Sequence, residues 1–176
     1  WSVTGVQTCA LPILNDWADV LPPEAEARIA ASLRAARQET GVQVVLVTMA
    51  RIADHGGAGQ RLESYAKGLF NAWGVGDGQR NDGILVLVAT DDRAMRIALG
   101  AGYDPVWDNA AQAAIDRGFL PDFRAGRMGA GIETGMDEVI ARIARPFAAG
   151  QPAPAPQEDG TDWLLFPVVA GAALLI

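Results

Sequence analysis

Residues 81–102, NDGILVLVATDDRAMRIALGAG, decide the fold of this chain. Residues 84–89 form a continuous apolar run bounded by turn residues, which is typical of a strand buried on both faces. Thr90-Asp91-Asp92-Arg93 interrupts the run with residues that favour turns. Residues 94–99 then alternate Met, Ile and Leu with Ala and Arg, as a strand does. The stretch therefore predicts a β-hairpin at the centre of a sheet, with two carboxylates and an arginine at its tip.

The segments before the hairpin predict a helix, a strand and a second helix. A helix begins at Pro22-Pro23, since proline suits the first helical turn, and ends at Gly41. Residues 42–49, VQVVLVTM, have the β-branched composition of a strand. Apolar residues at helical spacing predict an amphipathic helix over residues 60–73. This strand, helix and hairpin make a parallel βαβ unit extended by an antiparallel strand.

The segments after the hairpin predict two further helices separated by a loop. The first helix starts at Tyr103-Asp104-Pro105 and ends near Gly118, and the Gly-rich residues 121–131 are expected to form a loop. The last helix ends near Pro146. The whole pattern predicts an α/β fold, namely an α/β/α sandwich in which helices cover both faces of a small mixed sheet.

Composition excludes several classes of function. A formal net charge of −7 argues against a nucleic-acid partner, because no basic stripe exists to displace counterions. With one cysteine, Cys9, and one histidine, His55, a disulfide framework and a Cys/His zinc site are excluded. The Gly-rich residues 51–59 match neither nucleotide-binding spacing, so we expect no nucleotide or organic cofactor.

The two ends of the chain differ from its middle. Residues 3–13, VTGVQTCALPI, resemble a translated sequencing-adapter oligonucleotide, so we exclude residues 1–13 from the fold. Residues 14–147 are the predicted domain, and residues 148–162 are a Pro/Ala linker. Residues 163–176, WLLFPVVAGAALLI, carry no charge. We interpret them as the start of a transmembrane helix, which would make the membrane a partner of the chain.

Topology brings several acidic residues to one edge of the sheet. In a βαβ unit the parallel strands end at the same edge, and the hairpin tip lies there too. That edge is expected to hold Asp16, Asp91 and Asp92, with Arg93 and Asp122 beside them. Carboxylates from separate loops suit a hard cation, so we predict a Ca²⁺ or Mg²⁺ site formed by the first three.

The opposite edge is a second-choice site with Asp82, Gly102 and Asp104. A plainer interpretation of the first edge also stands. Adjacent aspartates are ordinary turn residues, and Arg93 could pair with one of them at a gain of about 0–1 kcal/mol.

Several segments together resemble the TPM domain. They are Asn15-Asp16-Trp17-Ala18, TGVQVVLVT, ESYAKGLFNAWGVG, the hairpin itself and FLPDFRAG, and the resemblance covers residues 14–147. It implies an α/β/α sandwich on the extracytoplasmic side, with calcium binding in some members and acid phosphatase activity in the thylakoid branch. The chain departs from the family at Gly126-Arg127-Met128, where Gly-Asp-Tyr is common, so that this loop loses a carboxylate.

Three functions remain open at this point. The first is a membrane-anchored, extracytoplasmic accessory or scaffold domain that binds a divalent cation and has membrane or envelope partners. The second is a phosphatase in which a metal on Asp16, Asp91 and Asp92 polarises a phosphoryl oxygen while Arg93 binds the phosphate. The third is a protein-interaction module without an ion.

Overall fold

The computed structural model of this protein describes residues 12–155. Within that range the chain forms a mixed sheet in the order β1-β2-β3-β4. The strands are β1 (Leu14–Asp16), β2 (Val44–Met49), β3 (Ile84–Ala89) and β4 (Ala94–Leu99). The first three are parallel, and β4 runs antiparallel to β3. This arrangement confirms the predicted βαβ unit and hairpin. The hairpin is not central as predicted, because β3 lies in the interior of the sheet but β4 is its edge strand.

Helices pack on both faces of the sheet. In chain order they are α1 (Pro23–Thr40), α2 (Leu62–Trp73), α3 (Trp107–Ala114), α4 (Leu120–Arg124), α5 (Met128–Val139) and α6 (Arg145–Ala148). A single π-helical turn joins α3 to α4, and another joins α5 to α6. A short 3₁₀ turn, Ile52–His55, follows β2. These elements confirm the predicted α/β fold with helices on both faces.

Apolar layers cover both faces of the sheet, so β2 and β3 are buried along their whole length. Side chains alternate between the faces of a strand. Val44, Leu46 and Val86 therefore pack in one layer with α1, α3 and α5, and Val45 and Leu87 pack in the other layer with α2. This double burial explains why both strands are continuous apolar runs in the sequence.

Three helix boundaries after the hairpin differ from the prediction. The helix expected to end near Gly118 continues through the π-helical turn into α4, and α5 already begins at Met128. The expected loop over residues 121–131 is therefore mostly helical. Gly131 serves close packing, since a Cβ there would lie 2.7 Å from the Phe123 ring, whereas Gly126 adopts a positive φ of 74° before α5. The last helix also continues past Pro146 to Ala148.

The described residues include parts of both terminal segments. The carbonyl of Ile13 accepts a hydrogen bond from the Leu46 amide at 2.9 Å, so the backbone pairing with β2 begins before β1. Within residues 12–155, no helix is long and apolar enough to cross a membrane. The predicted transmembrane segment, residues 163–176, lies outside the described residues, as do residues 1–11 and residues 156–162 of the predicted linker.

Candidate functional site

The carboxyl edge of the sheet contains the acidic residues that topology predicted there. The register pairs Asp16 with Thr48 and Met49 with Ala89, so Asp16 ends its strand at the same edge as the hairpin tip. Two strand spacings separate β1 from β3, which is about 10 Å. The structure thus places Asp16 on the expected edge but two strands away from Asp91.

Both carboxylate oxygens of Asp16 accept hydrogen bonds from neighbouring residues. Its Oδ2 accepts a hydrogen bond from the Leu21 amide at 2.8 Å, and its Oδ1 accepts one from the Thr48 hydroxyl. Thr48 is fully buried, and its hydroxyl oxygen also accepts from the Ala18 amide at 3.3 Å. Both carboxylate oxygens of Asp16 therefore fix the loop between β1 and α1 against β2.

The hairpin tip is fixed to the loop that follows β2. The Asp91 amide donates to the Ala50 carbonyl at 2.9 Å, and Asp92 Oδ2 accepts from the Ile52 amide at 3.0 Å. Among the residues that the structure describes, the Asp91 carboxylate makes no hydrogen bond or ion pair. The tip therefore presents one free carboxylate and the second oxygen of Asp92 to solvent.

A nearby arginine, which sequence reasoning missed, balances part of this negative charge. Arg51 Nε donates to Asp54 Oδ2 at 3.1 Å. That hydrogen bond and the charge of Asp54 raise the pKa of Arg51, and the charges of Asp91 and Asp92 raise it further. The hairpin tip therefore combines two aspartates with its own Arg93 and with Arg51 beside it.

Asp122, which the sequence analysis placed beside the predicted cation site, already has a partner. Its carboxylate forms an ion pair with Arg127, whose Nε donates to Oδ1 at 2.8 Å. The ion pair with Arg127 therefore neutralises the Asp122 carboxylate. Across residues 12–155, no three His, Cys, Asp or Glu side chains come together closely enough to hold a metal ion. The metal site of Asp16, Asp91 and Asp92 stays a prediction.

Asp82, at the opposite edge of the sheet, is a buried structural carboxylate. It is 1% exposed, accepts from the Asp77 amide at 3.1 Å and pairs with Arg80 Nη2 at 3.0 Å. Its backbone carbonyl accepts from the Tyr103 hydroxyl at 3.1 Å. Burial, together with the negative charge of Asp82, raises the pKa of Tyr103. These contacts hold the turn before β3 in place.

Gly102 and Asp104 complete that second-choice site. The Gly102 amide donates to the Asn81 carbonyl at 3.0 Å, and a Cβ at this position would lie 2.2 Å from the Arg80 carbonyl oxygen. Close approach of two backbone segments therefore accounts for the glycine. Asp104 is exposed and lines a shallow cavity of about 400 Å³ together with Lys67.

The model of one protein family, the TPM domain, matches residues 14–142. The chain belongs to the TPM domain family. Comparison with curated proteins finds no match.

Solved structures similar to this TPM domain include two N-terminal domains and one further protein, all from bacteria. The N-terminal domain of a P. gingivalis protein is 28% identical, with a TM-score of 0.64 over 74% of this chain and 80% of that one. The N-terminal domain of a Corynebacterium glutamicum protein is 12% identical, with a TM-score of 0.57 over 81% and 87%. The BA42 protein of Bizionia argentinensis is 19% identical, with a TM-score of 0.55 over 71% and 82%. The last two show the fold alone.

An exposed aromatic cluster lies beside the carboxyl edge of this TPM domain. Trp17 is 45% exposed and stacks on His55 with ring centroids 4.7 Å apart and an interplanar angle of 17°. Trp73 packs edge-on against the same indole at 5.9 Å. Sequence reasoning missed the cluster because β1 was not predicted. The alternation that places Asn15 opposite Val47, on the α2 face, places Trp17 on that face too.

Proposed function

We propose that this TPM domain is an accessory domain, anchored to a membrane by residues 163–176 and facing the extracytoplasmic side. In this proposal it binds a hard divalent cation, Ca²⁺ or Mg²⁺, at the hairpin tip. The observation that carries the cation part is the free carboxylate of Asp91 beside Asp92, at the strand ends where open α/β sheets bind ligands. The uncharged composition of residues 163–176 supports the anchor.

The geometry limits the ligand set and therefore the affinity. Asp16 is bound at both oxygens, so the site reduces to Asp91 and Asp92, completed by backbone carbonyls and water. Calcium accepts such mixed oxygen sets, and weakly charged extracellular sites bind it with dissociation constants of about 10⁻⁴–10⁻³ M. The charge of Arg51 nearby places the expected constant at the weak end of that range.

A calcium titration of the full chain, followed by amide NMR signals, tests this site. We expect saturable shifts in residues 90–93 at millimolar Ca²⁺. The variant Asp91→Asn/Asp92→Asn should abolish them, whereas the matched variant Asp104→Asn/Asp108→Asn should retain them. An absence of saturable shifts up to about 10 mM, well above that range, would remove the cation from the proposal. Loss of binding in the matched variant alone would move the site to the opposite edge.

The phosphatase alternative receives less support from the geometry. It needs a metal held by Asp16, Asp91 and Asp92 with Arg93 on the phosphate. Asp16 is engaged by Leu21 and Thr48 and lies two strands from the hairpin.

The ion-free interaction module is favoured by a specific observation, namely the stacked and exposed Trp17. Tryptophan is enriched at the centres of protein interfaces. A melting temperature that is the same in EDTA and in millimolar Ca²⁺ would support this candidate over the cation-binding one. In that case Trp17→Ala should weaken binding to a partner without changing the fold.

A further inference from the structure

A groove of about 510 Å³ lies between the β3–β4 hairpin and the helical segment α4–α5. Its size is within the ~300–1,000 Å³ range of small-molecule sites. None of the described residues that line it is acidic. Its main side chains are Met95, Leu120, Phe123 and Met128 along the floor, with Arg93 and Arg124 at the rim.

Neither arginine has a side-chain hydrogen bond or ion pair among the described residues, although both line a groove. By contrast, Arg28 pairs with Glu133 and Arg145 pairs with Glu39. The chain carries a net charge of −7, so acidic partners are plentiful. Two uncompensated guanidinium groups at one groove of an acidic protein mark a place where an anion is favoured.

Asp122 and Asp92 each adjoin a groove-lining residue in the sequence, and both have partners outside the groove. Asp122 is neutralised by Arg127, and Asp92 accepts from the Ile52 amide in the loop after β2. Ile52 belongs to the apolar layer on the α2 side, whereas Met95 of the groove packs with the opposite layer. The hairpin tip therefore separates its charges, with Asp92 held toward one face of the sheet and Arg93 toward the other.

The scarcity of polar side chains in the groove favours an anion with an apolar chain over a peptide. Apart from the two arginines, Thr90 is the single polar side chain among the described lining residues, and its hydroxyl already lies 3.5 Å from the Met49 carbonyl. An extended peptide would bring an amide N–H and C=O at every residue, and each needs a partner when buried. An alkyl chain needs none, and methionine side chains adapt to its shape.

We propose that this groove binds a single-chain aliphatic carboxylate of medium length. Its carboxylate accepts hydrogen bonds from Arg93 and Arg124, and its chain lies on Met95, Leu120, Phe123 and Met128. Guanidinium groups match a carboxylate through paired N–H donors, which fixes the head group at the rim. The apolar floor supplies the hydrophobic part of the binding free energy.

Decanoate is a suitable probe, and the four methionines of the chain report its position. Met95 and Met128 line the groove, while Met49 and Met136 are fully buried in the two cores. With the full chain labelled at the methionine methyl groups and kept in EDTA, decanoate should shift Met95 and Met128 saturably. Met49 and Met136 should stay unchanged. Either no saturable shift or equal shifts of all four signals would overturn the proposal.

Charge variants test the head group separately. Arg93→Gln/Arg124→Gln should weaken decanoate binding by about tenfold or more, since charge-assisted hydrogen bonds are lost. Arg34→Gln/Arg37→Gln removes the same charge from the exposed face of α1 and should leave the affinity unchanged. Unshifted Met49 and Met136 signals in each variant verify the fold. Equal binding by 1-decanol, which has no carboxylate, would refute the role of the arginines. Because EDTA is present throughout, failure of the cation site leaves this result unaffected.

Discussion

Replacing Asp16 with alanine is expected to destabilise the domain by about 3 kcal/mol, since hydrogen bonds to a charged acceptor contribute about 1.5–3 kcal/mol each. Alanine removes the acceptor of the Leu21 amide and that of the Thr48 hydroxyl. The two bonds share one carboxylate, so their contributions are not additive and the sum is an upper limit. Thr48 is fully buried, so water cannot replace the lost partner.

Urea denaturation in EDTA measures this cost, and a thermal melt should show a fall of roughly 10 °C. Asp91→Ala is the matched control, because Asp91 is exposed and its carboxylate has no partner within the described part of the chain. Its expected effect is within about 0.5 kcal/mol. Asp16→Asn should fall between the two, because its amide group can accept from one of the two donors but presents N–H to the other.

Two results would refute this reasoning. Equal stability of the Asp16→Ala and Asp91→Ala variants in EDTA would show that the hydrogen bonds of Asp16 contribute little. A destabilisation by Asp16→Ala that appears only when Ca²⁺ is present would show that Asp16 is a metal ligand rather than a structural residue.

Two further predictions concern packing and pH. Gly135→Ala should cost about 1–3 kcal/mol, since its Cβ would lie 2.4 Å from the Phe119 ring. Gly68→Ala in α2 meets open space and should stabilise by about 0.5–1 kcal/mol, which urea denaturation distinguishes. Backbone hydrogen bonds lower the pKa of Asp77, and the Arg28 hydrogen bond lowers that of Glu133. Their stabilisation is present above the ordinary pKa values of 3.8 and 4.5 and is lost as pH falls below them. Asp77→Asn/Glu133→Gln should therefore flatten the acid limb of the stability profile, and an unchanged limb would contradict this.

The hairpin and its flanking elements were predictable because local pattern and global burial agree there. Residues 84–89 and 94–99 became β3 and β4 at the predicted bounds. The glycine-rich region after α4 was not predictable in the same way. Glycine favours a loop when only local freedom is considered. Gly131 and Gly135 instead admit the Phe123 and Phe119 rings, a tertiary contact that a single sequence does not show.

β1 was missed for a different reason. Its three residues, Leu14–Asp16, are too few and too polar to give a strand signal, and pairing with β2 is what forms the strand. Without β1, the position of Trp17 beside the candidate site could not be predicted, because the alternation along β1 determines the face on which Trp17 lies. The exposed Trp17–His55 stack could therefore not be predicted from the sequence.

Topology predicted which acids share an edge, but it could not predict which of them are already bound. Asp16 is taken by Thr48 and Leu21, and Asp122 is taken by Arg127. Asp91 is left without a described partner, and so is Arg93 on the other side of the same turn. Because the tip holds Asp92 toward the α2 face and Arg93 toward α4, the proposed cation and carboxylate ligands would approach from different faces. Saturating Ca²⁺ should therefore leave the affinity for decanoate unchanged, and direct competition between the two would show that both sites draw on the same side chains.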